Sequence, residues 1–359
     1  MKKYLCMCIS CAFVFFAKAQ EERLRDYVNP FVGTDGYGNI YPGSQIPFGG
    51  IQISPDTDNH FYDAASGYKY SHPTIMGFSL SHLSGTGIPD LGDFLFVPGT
   101  GEIKSIPGTH ENPDEGYRSR YSHEKEWASP GYYGVELIDY GVKAEMTSAC
   151  RSGIFRFTYP ASDKAFILVD LNHTLWQSCP WSNLRQLNDS TIVGYKLVKG
   201  WGPERHIYFA ATFSRKLEHF YILQDGKPVI YNTKRFRSHK EAWGEKLMAC
   251  FTFSTHTGEE VYVKTAISGV STEGALANIN ELDGLTFESV KSRAEELWEK
   301  ELGKYHVAGD LKTKRTFYTS AYHAALHPFV FQDADGRYRE LDKNIGRAEG
   351  FTNYTTFSL

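Results

Sequence analysis

A chain of 359 residues is long enough for two domains or one large one, and 38 Lys and Arg against 42 Asp and Glu give it a formal net charge of -4. That mildly acidic balance, with no basic run, argues against nucleic acid and anionic membrane as partners. Aromatic residues make up 15% of the chain, which points either to a strand-rich core or to exposed rings able to stack on sugars.

The first 19 residues read as a secretory signal. Lys2 and Lys3 precede an apolar run from Tyr4 to Phe16, and Ala17-Lys18-Ala19 supplies the small residues of a cleavage site before Gln20. The run is too short to span a bilayer, so a secreted or periplasmic protein is expected. Cys11 lacks the preceding Leu and small residues of a lipid-modified cysteine. Past the signal stand Cys150, Cys179 and Cys250, too widely spaced for a metal site. One disulfide among them is open to an oxidising compartment, with no pair preferred.

From Asn29 to Asp93 the chain strings together Gly, Pro, aromatics and short polar residues without helical or strand periodicity. Such density predicts ordered turns on a rigid scaffold, where binding groups usually sit. After Phe94 the period becomes that of strands. Ile207, Phe209, Ala211 and Phe213 alternate with Tyr208, Ala210 and Thr212, as Val261, Val263, Thr265 and Ile267 do with Tyr262, Lys264 and Ala266. Further strands are predicted at 134–139, 142–147, 153–159, 165–171, 191–197, 219–223 and 247–254, separated by turn signals. No helical pattern lies between them, so two large packed antiparallel sheets are expected.

Near residue 283 the pattern changes again. Leu285, Phe287, Val290, Ala294, Leu297 and Trp298 recur every three or four positions, with Thr286 placed to cap the start and Gly303 the end. A second helix is predicted from Lys312 to Leu326, before Pro328. The expected division is a sandwich over 20–282, a linker helix over 283–304 and the start of a helical domain over 305–359. So short a helical part cannot close a core alone, which predicts the front part of a longer protein.

At this point the residues resemble glycoside hydrolase family 92, the calcium-dependent exo-acting α-mannosidases. The resemblance rests on Asn29-Pro30-Phe31-Val32-Gly33-Thr34, Asn39-Ile40-Tyr41-Pro42-Gly43, Pro47-Phe48-Gly49, Ser66-Gly67-Tyr68, Gly77-Phe78-Ser79 and His82-Leu83-Ser84-Gly85-Thr86-Gly87. It continues through Gly194-Tyr195, Gly200-Trp201, Tyr318-Thr319, Tyr322-His323 and Asn353-Tyr354-Thr355-Thr356-Phe357-Ser358-Leu359. It implies a mostly β fold: an antiparallel β-supersandwich, then a linker helix and the truncated start of an (α/α)6 barrel.

The chemistry implied is inverting hydrolysis of terminal α-mannose from glycans. A Glu acid and an Asp base would stand roughly 6.5–9.5 Å apart, and calcium would hold the sugar's hydroxyls. The resemblance puts these carboxylates and the calcium ligands beyond Leu359, so no catalytic residue and no metal ligand is expected in the chain, and alone it is expected to be inactive. Its contribution would be substrate binding. Tyr62-Asp63-Ala64-Ala65 stands where the family often has Trp-Asp-Gly-Cys, so Tyr62 is expected to offer an aromatic face, with Asp63 beside it. Phe78-Ser79-Leu80-Ser81-His82 departs from a common Phe-Ser-His-Thr-His.

The expected binding residues are Tyr62, Asp63, His82, Asp90 and Trp201. Each of the last three has a structural alternative: a His satisfied by backbone groups, an Asp capping its own turn, an anchoring Trp. Trp176 and Trp181 flank Cys179-Pro180 in a loop-like stretch that would line a distal subsite. Asp333-Ala334-Asp335-Gly336 lacks the later acidic positions of a calcium loop and reads as a turn, and Glu349 has no visible partner. Two rival readings stand: another sandwich-plus-barrel glycosidase or phosphorylase, and a stand-alone glycan-binding protein.

Overall fold

The computed structural model describes residues 22–60, 62–230 and 240–355. The signal segment and Thr356 to Leu359 of the last motif lie outside these residues. Two antiparallel sheets dominate. The seven-stranded sheet runs in the order Ser54–Asp56, Gly77–Ser79, Leu95–Thr100, Ser162–Asp170, Leu247–Thr255, His219–Gln224 and Lys227–Pro228. The nine-stranded sheet runs Glu241–Gly244, Ser178–Gln186, Thr191–Lys199, Arg205–Phe213, Glu259–Ser268, Ser152–Tyr159, Val142–Ser148, Tyr132–Leu137 and Glu126–Ser129.

Alternation along the strands explains why the sheets pack. Ile207, Phe209, Ala211 and Phe213 turn inward, and so do Val261 and Val263 on the neighbouring strand. From the other sheet they meet Ile167, Val169, Ala249, Phe251 and Phe253 in one continuous core. Removing each of the Val, Ile and Phe side chains from water is worth about 1.5–3 kcal/mol, which sets the register firmly because a one-residue slip would expose the whole row.

Two elements differ from the sequence reading. The stretch around Trp181 is a strand, Ser178–Gln186, rather than a loop. Pro180 obscured it, since proline cannot donate to a ladder, and it sits where the register shifts between Ser178 and Trp181. The span read as sandwich also holds a helix, α1, Thr272–Ile279, which lays Ala275 and Ile279 on Val193, Ala210 and Ala266 of the nine-stranded sheet. Its eight residues are too few to show a helical period, though Ser271 caps Gly274 N as such residues do. No disulfide joins Cys150, Cys179 and Cys250.

The second helix, α2, Phe287–Leu302, begins and ends at the expected caps, with Thr286 and Ser289 in a reciprocal capping box. The third, α3, Leu311–Ala324, starts at Asp310, whose carboxylate accepts from Thr313 N at 2.8 Å. Trp298, Leu302, Tyr318 and Tyr322 pack around Tyr41, so the helices close over the first loops of the chain. Beyond α3 the chain turns into short strands: Phe329–Val330 pairs with Tyr354–Thr355, and Arg337–Arg339 with Ile345–Arg347.

Candidate functional site

The Asn29–Asp93 loops are fixed from below by buried polar groups. Strand Ser54–Asp56 carries Asp56 into the interior, where its Oδ1 lies 2.8 Å from His82 Nε2 and its Oδ2 2.7 Å from His173 Nε2. Burial alone would raise the Asp56 pKa, but the two imidazoles more than offset it and hold the carboxyl well below its usual range. Gly67, at φ +84°, turns directly over this carboxylate, and a Cβ there would lie 2.0 Å from Asp56 Oδ1. Only glycine meets both demands, which is why Ser66-Gly67-Tyr68 reads as it does. Tyr68 then donates to Glu126, at 2.9 Å from Oε1.

His82 is fully buried. Its Nδ1 donates to the Gln52 carbonyl at 2.8 Å, and its Nε2 also lies 3.1 Å from Ser79 Oγ. It ties Gln52 to the strands Ser54–Asp56 and Gly77–Ser79 and is closed off from solvent. Asp90 is buried too. Its Oδ1 accepts from Leu91 N at 2.6 Å and its Oδ2 from Trp201 N at 3.2 Å. Burial raises its pKa. Asp90 thus caps its own turn and pins the backbone of Trp201, whose side chain is 59% exposed.

Tyr62 and Asp63 stand on the outer rim. Tyr62 is 49% exposed and adopts φ +58°, a left-handed conformation uncommon for a residue with a side chain. Asp63 pairs with Lys69 and lies 2.9 Å from His72 Nε2. The ammonium, followed by the imidazole, lowers the Asp63 pKa despite a small burial penalty. The expected binding residues thus fall into exposed groups, Tyr62, Asp63 and the ring of Trp201, and buried ones, His82 and Asp90. Trp176, just before strand Ser178–Gln186, and Trp181, on it, are also exposed.

Asp93 sits deeper. It accepts from Arg205 at 2.6 and 3.0 Å and from Ser81 Oγ at 2.6 Å, with Lys196 Nζ 3.1 Å away. Burial would raise its pKa, but Arg205 and Lys196 outweigh that and hold it well below the usual range. Ser81, Asp93 and Arg205 form one wall of a cavity of about 60 Å³ whose other wall includes Phe331 and Asp333. Tyr62, Asp63 and Trp201 do not line it. Asp333 accepts from Ser268 Oγ at 2.7 Å and Asn278 Nδ2 at 3.0 Å, and its segment is the expected turn.

A further cluster was invisible in the sequence. Asp58, His72 and His110 each bring one ligand atom within 4.8 Å of the other two. Burial lowers the His72 pKa, with the Asp63 hydrogen bond opposing it. The residues are scattered over 53 positions of irregular chain, and the only sign of them was the density of Asp and His between Asp56 and His72.

Comparison with known proteins gives this arrangement a family. Residues 27–268 match the glycosyl hydrolase family 92 N-terminal domain, and residues 274–359 match the glycosyl hydrolase family 92 catalytic domain. A family GH92 α-mannosidase from Bacteroides thetaiotaomicron, solved in complex with mannoimidazole, is 76% identical. It superimposes with a TM-score of 0.91 over 93% of this chain and 44% of its own. The GH92 family glycosyl hydrolase ccman5 is 26% identical, with a TM-score of 0.81 over 92% of this chain and 45% of its own. A secreted glycosidase of Arthroderma benhamiae, itself uncharacterized, is 25% identical over 327 residues, 84% of this chain and 41% of that one. The chain spans less than half the length of each of these relatives. With two consecutive family domains matched over nearly all its described length, and a sandwich-then-helix order that agrees with them, the chain belongs to glycosyl hydrolase family 92.

Proposed function

We propose that this chain builds the sandwich-side wall of the substrate site in a secreted or periplasmic exo-α-mannosidase, with Tyr62, Asp63 and Trp201 facing mannose-containing glycans and His82 and Asp90 holding them from beneath. The observation that carries this reading is the 76% identity, across 93% of the chain, to an α-mannosidase crystallised with mannoimidazole. The aromatic rim supports it, because an exposed ring beside a carboxylate offers a sugar both a stacking face and a hydrogen-bond acceptor. In this reading residues 283–304 link the sandwich to a helical barrel that starts at residue 305. The signal segment and the secreted Arthroderma relative support the location.

The family implies calcium. Among the described residues, the one group of His, Cys, Asp and Glu close enough to hold an ion is Asp58, His72 and His110. Its two imidazoles do not fit calcium, which takes oxygen ligands.

The test is mannose release from α-linked mannosides by the product of the complete reading frame, assayed beside the 359-residue chain. Release by the former supports the reading. Activity only on other glycosides would favour a different sandwich-plus-barrel hydrolase, and saturable mannoside binding without turnover would favour a glycan-binding protein.

A further inference from the structure

We infer that Asp58, His72 and His110 form a binding site for a divalent transition-metal ion of the zinc class, one that fastens the loop bearing Tyr62. One atom pair forms the heart of this cluster. His110 Nε2 is buried without a hydrogen-bond partner, and Asp58 Oδ2 lies 3.7 Å from it, too far for a hydrogen bond. Nitrogen and oxygen ligands at about 2.0–2.2 Å from a tetrahedral zinc stand roughly 3.3–3.5 Å apart. A shift of a few tenths of an ångström would bring this pair onto one ion, with His72 completing three protein ligands.

The surroundings hold the ligands in place, as the outer partners of a metal site do. Asp58 Oδ1 accepts from Asn59 N at 2.7 Å, His60 N at 3.1 Å and His60 Nδ1 at 2.6 Å, which leaves Oδ2 turned toward His110. His72 has Thr57 Oγ1 3.0 Å from Nδ1 and Asp63 Oδ2 2.9 Å from Nε2. Its Nδ1 exchanges the Thr57 contact for the ion, and its Nε2 keeps Asp63 as the brace of the ring. His110 Nδ1 lies 2.8 Å from Thr74 Oγ1 and 3.0 Å from Arg118 NH1. A guanidinium only donates, so in the empty site the imidazole proton sits on Nε2. On loading, that proton moves to Nδ1 and is donated to Thr74 Oγ1. Arg118 retains Pro107 O at 3.1 Å and Thr57 O at 3.4 Å.

Two imidazoles and one carboxylate suit zinc, with the fourth position left to water. The ligands come from three separate segments, one just after strand Ser54–Asp56, one at the turn before Thr74 and one in the loop at His110. Tyr62 lies between the first two. An ion here would therefore staple the loop that carries it.

The experiment uses the chelator-treated 359-residue chain, titrated with zinc by calorimetry and with cobalt(II) by absorption spectroscopy. The expected result is one equivalent bound, an intense tetrahedral cobalt(II) spectrum and a rise in Tm with zinc. His72→Ala and His110→Ala are expected to abolish stoichiometric binding, and Asp63→Asn to weaken it about 10–100-fold through the lost brace. Wild-type protein that takes up no zinc, gives an octahedral aquo-like cobalt spectrum, or binds as tightly in both His variants would overturn the inference. Should either His variant fail to fold, as judged by circular dichroism in chelator, the wild-type cobalt spectrum decides alone.

Discussion

Asp56 and His82 form a fully buried pair, Oδ1 to Nε2 at 2.8 Å, beneath the turn that carries Tyr62. His173 takes the other carboxylate oxygen from 117 positions further along the chain. The pair connects the loops to the sandwich, since its His also holds Gln52 and its Asp lies under Gly67. Removing the carboxylate leaves two imidazoles without their common acceptor. Asp56→Ala is expected to cost about 3–5 kcal/mol, the usual result of breaking a buried pair from one side. Urea denaturation checks it, and a loss below about 1 kcal/mol would show the network to be unimportant.

Acid should unfold the protein through the same groups. Asp56 and Asp93 titrate well below their ordinary range when folded, whereas an unfolded Asp takes up its proton near about pH 3.9. Below that pH the unfolded state binds protons that the native state refuses. Their stabilisation is therefore complete above about pH 4 and is lost as the pH falls toward the folded pKa values. Asp170, raised by burial, acts in the opposite sense and blunts the slope. Chemical denaturation between pH 6 and pH 3, on the order of the range that linkage requires, should show this decline. A decline equally steep in Asp56→Asn would remove Asp56 as its source.

Two glycines separate backbone strain from collision. Gly67 and Gly101 both adopt positive φ, +84° and +93°, but a Cβ at Gly101 meets nothing within 4 Å. Gly101→Ala is expected to cost about 1 kcal/mol from backbone conformation alone. Gly67→Ala must also displace Asp56 and should cost at least 2 kcal/mol more, on the order of a disturbed buried network. Equal Tm losses in the two variants would contradict the collision.

The helices should depend on a single indole. Trp298 is fully buried against Tyr322, with ring centroids 4.5 Å apart, and its Nε1 donates to Gln45 O at 2.7 Å. Trp298→Ala is expected to destabilise by about 3–5 kcal/mol. Trp298→Phe should recover most of the packing but not the hydrogen bond. Limited proteolysis would show whether cleavage then concentrates in α2 and α3, as this docking requires.

Much of the fold was legible because its signals are local. The alternation from Ile207 to Phe213, and Thr286 and Gly303 around α2, needed only neighbouring residues to be read. Pro180 hid a strand because proline's lack of an N–H matters only once the bulge beside Trp181 is known. The site was less legible. His82 and Asp90 stood out by type, yet burial turns both inward, and burial is a property of the folded chain. Asp56 and His173 meet across 117 positions, and Asp58, His72 and His110 come together from separate irregular stretches, so no local period announces either group.

Steady-state kinetics on an α-mannoside, with the product of the complete reading frame carrying Tyr62→Ala or Tyr62→Trp, shows whether Tyr62 faces the sugar. Losing an aromatic contact worth about 0.5–1.5 kcal/mol should lower kcat/KM about twofold to thirteenfold, mainly through KM, with Tm unchanged and Tyr62→Trp restoring the value. A kcat/KM in Tyr62→Ala equal to that of the wild type would place the sugar elsewhere and contradict the claim.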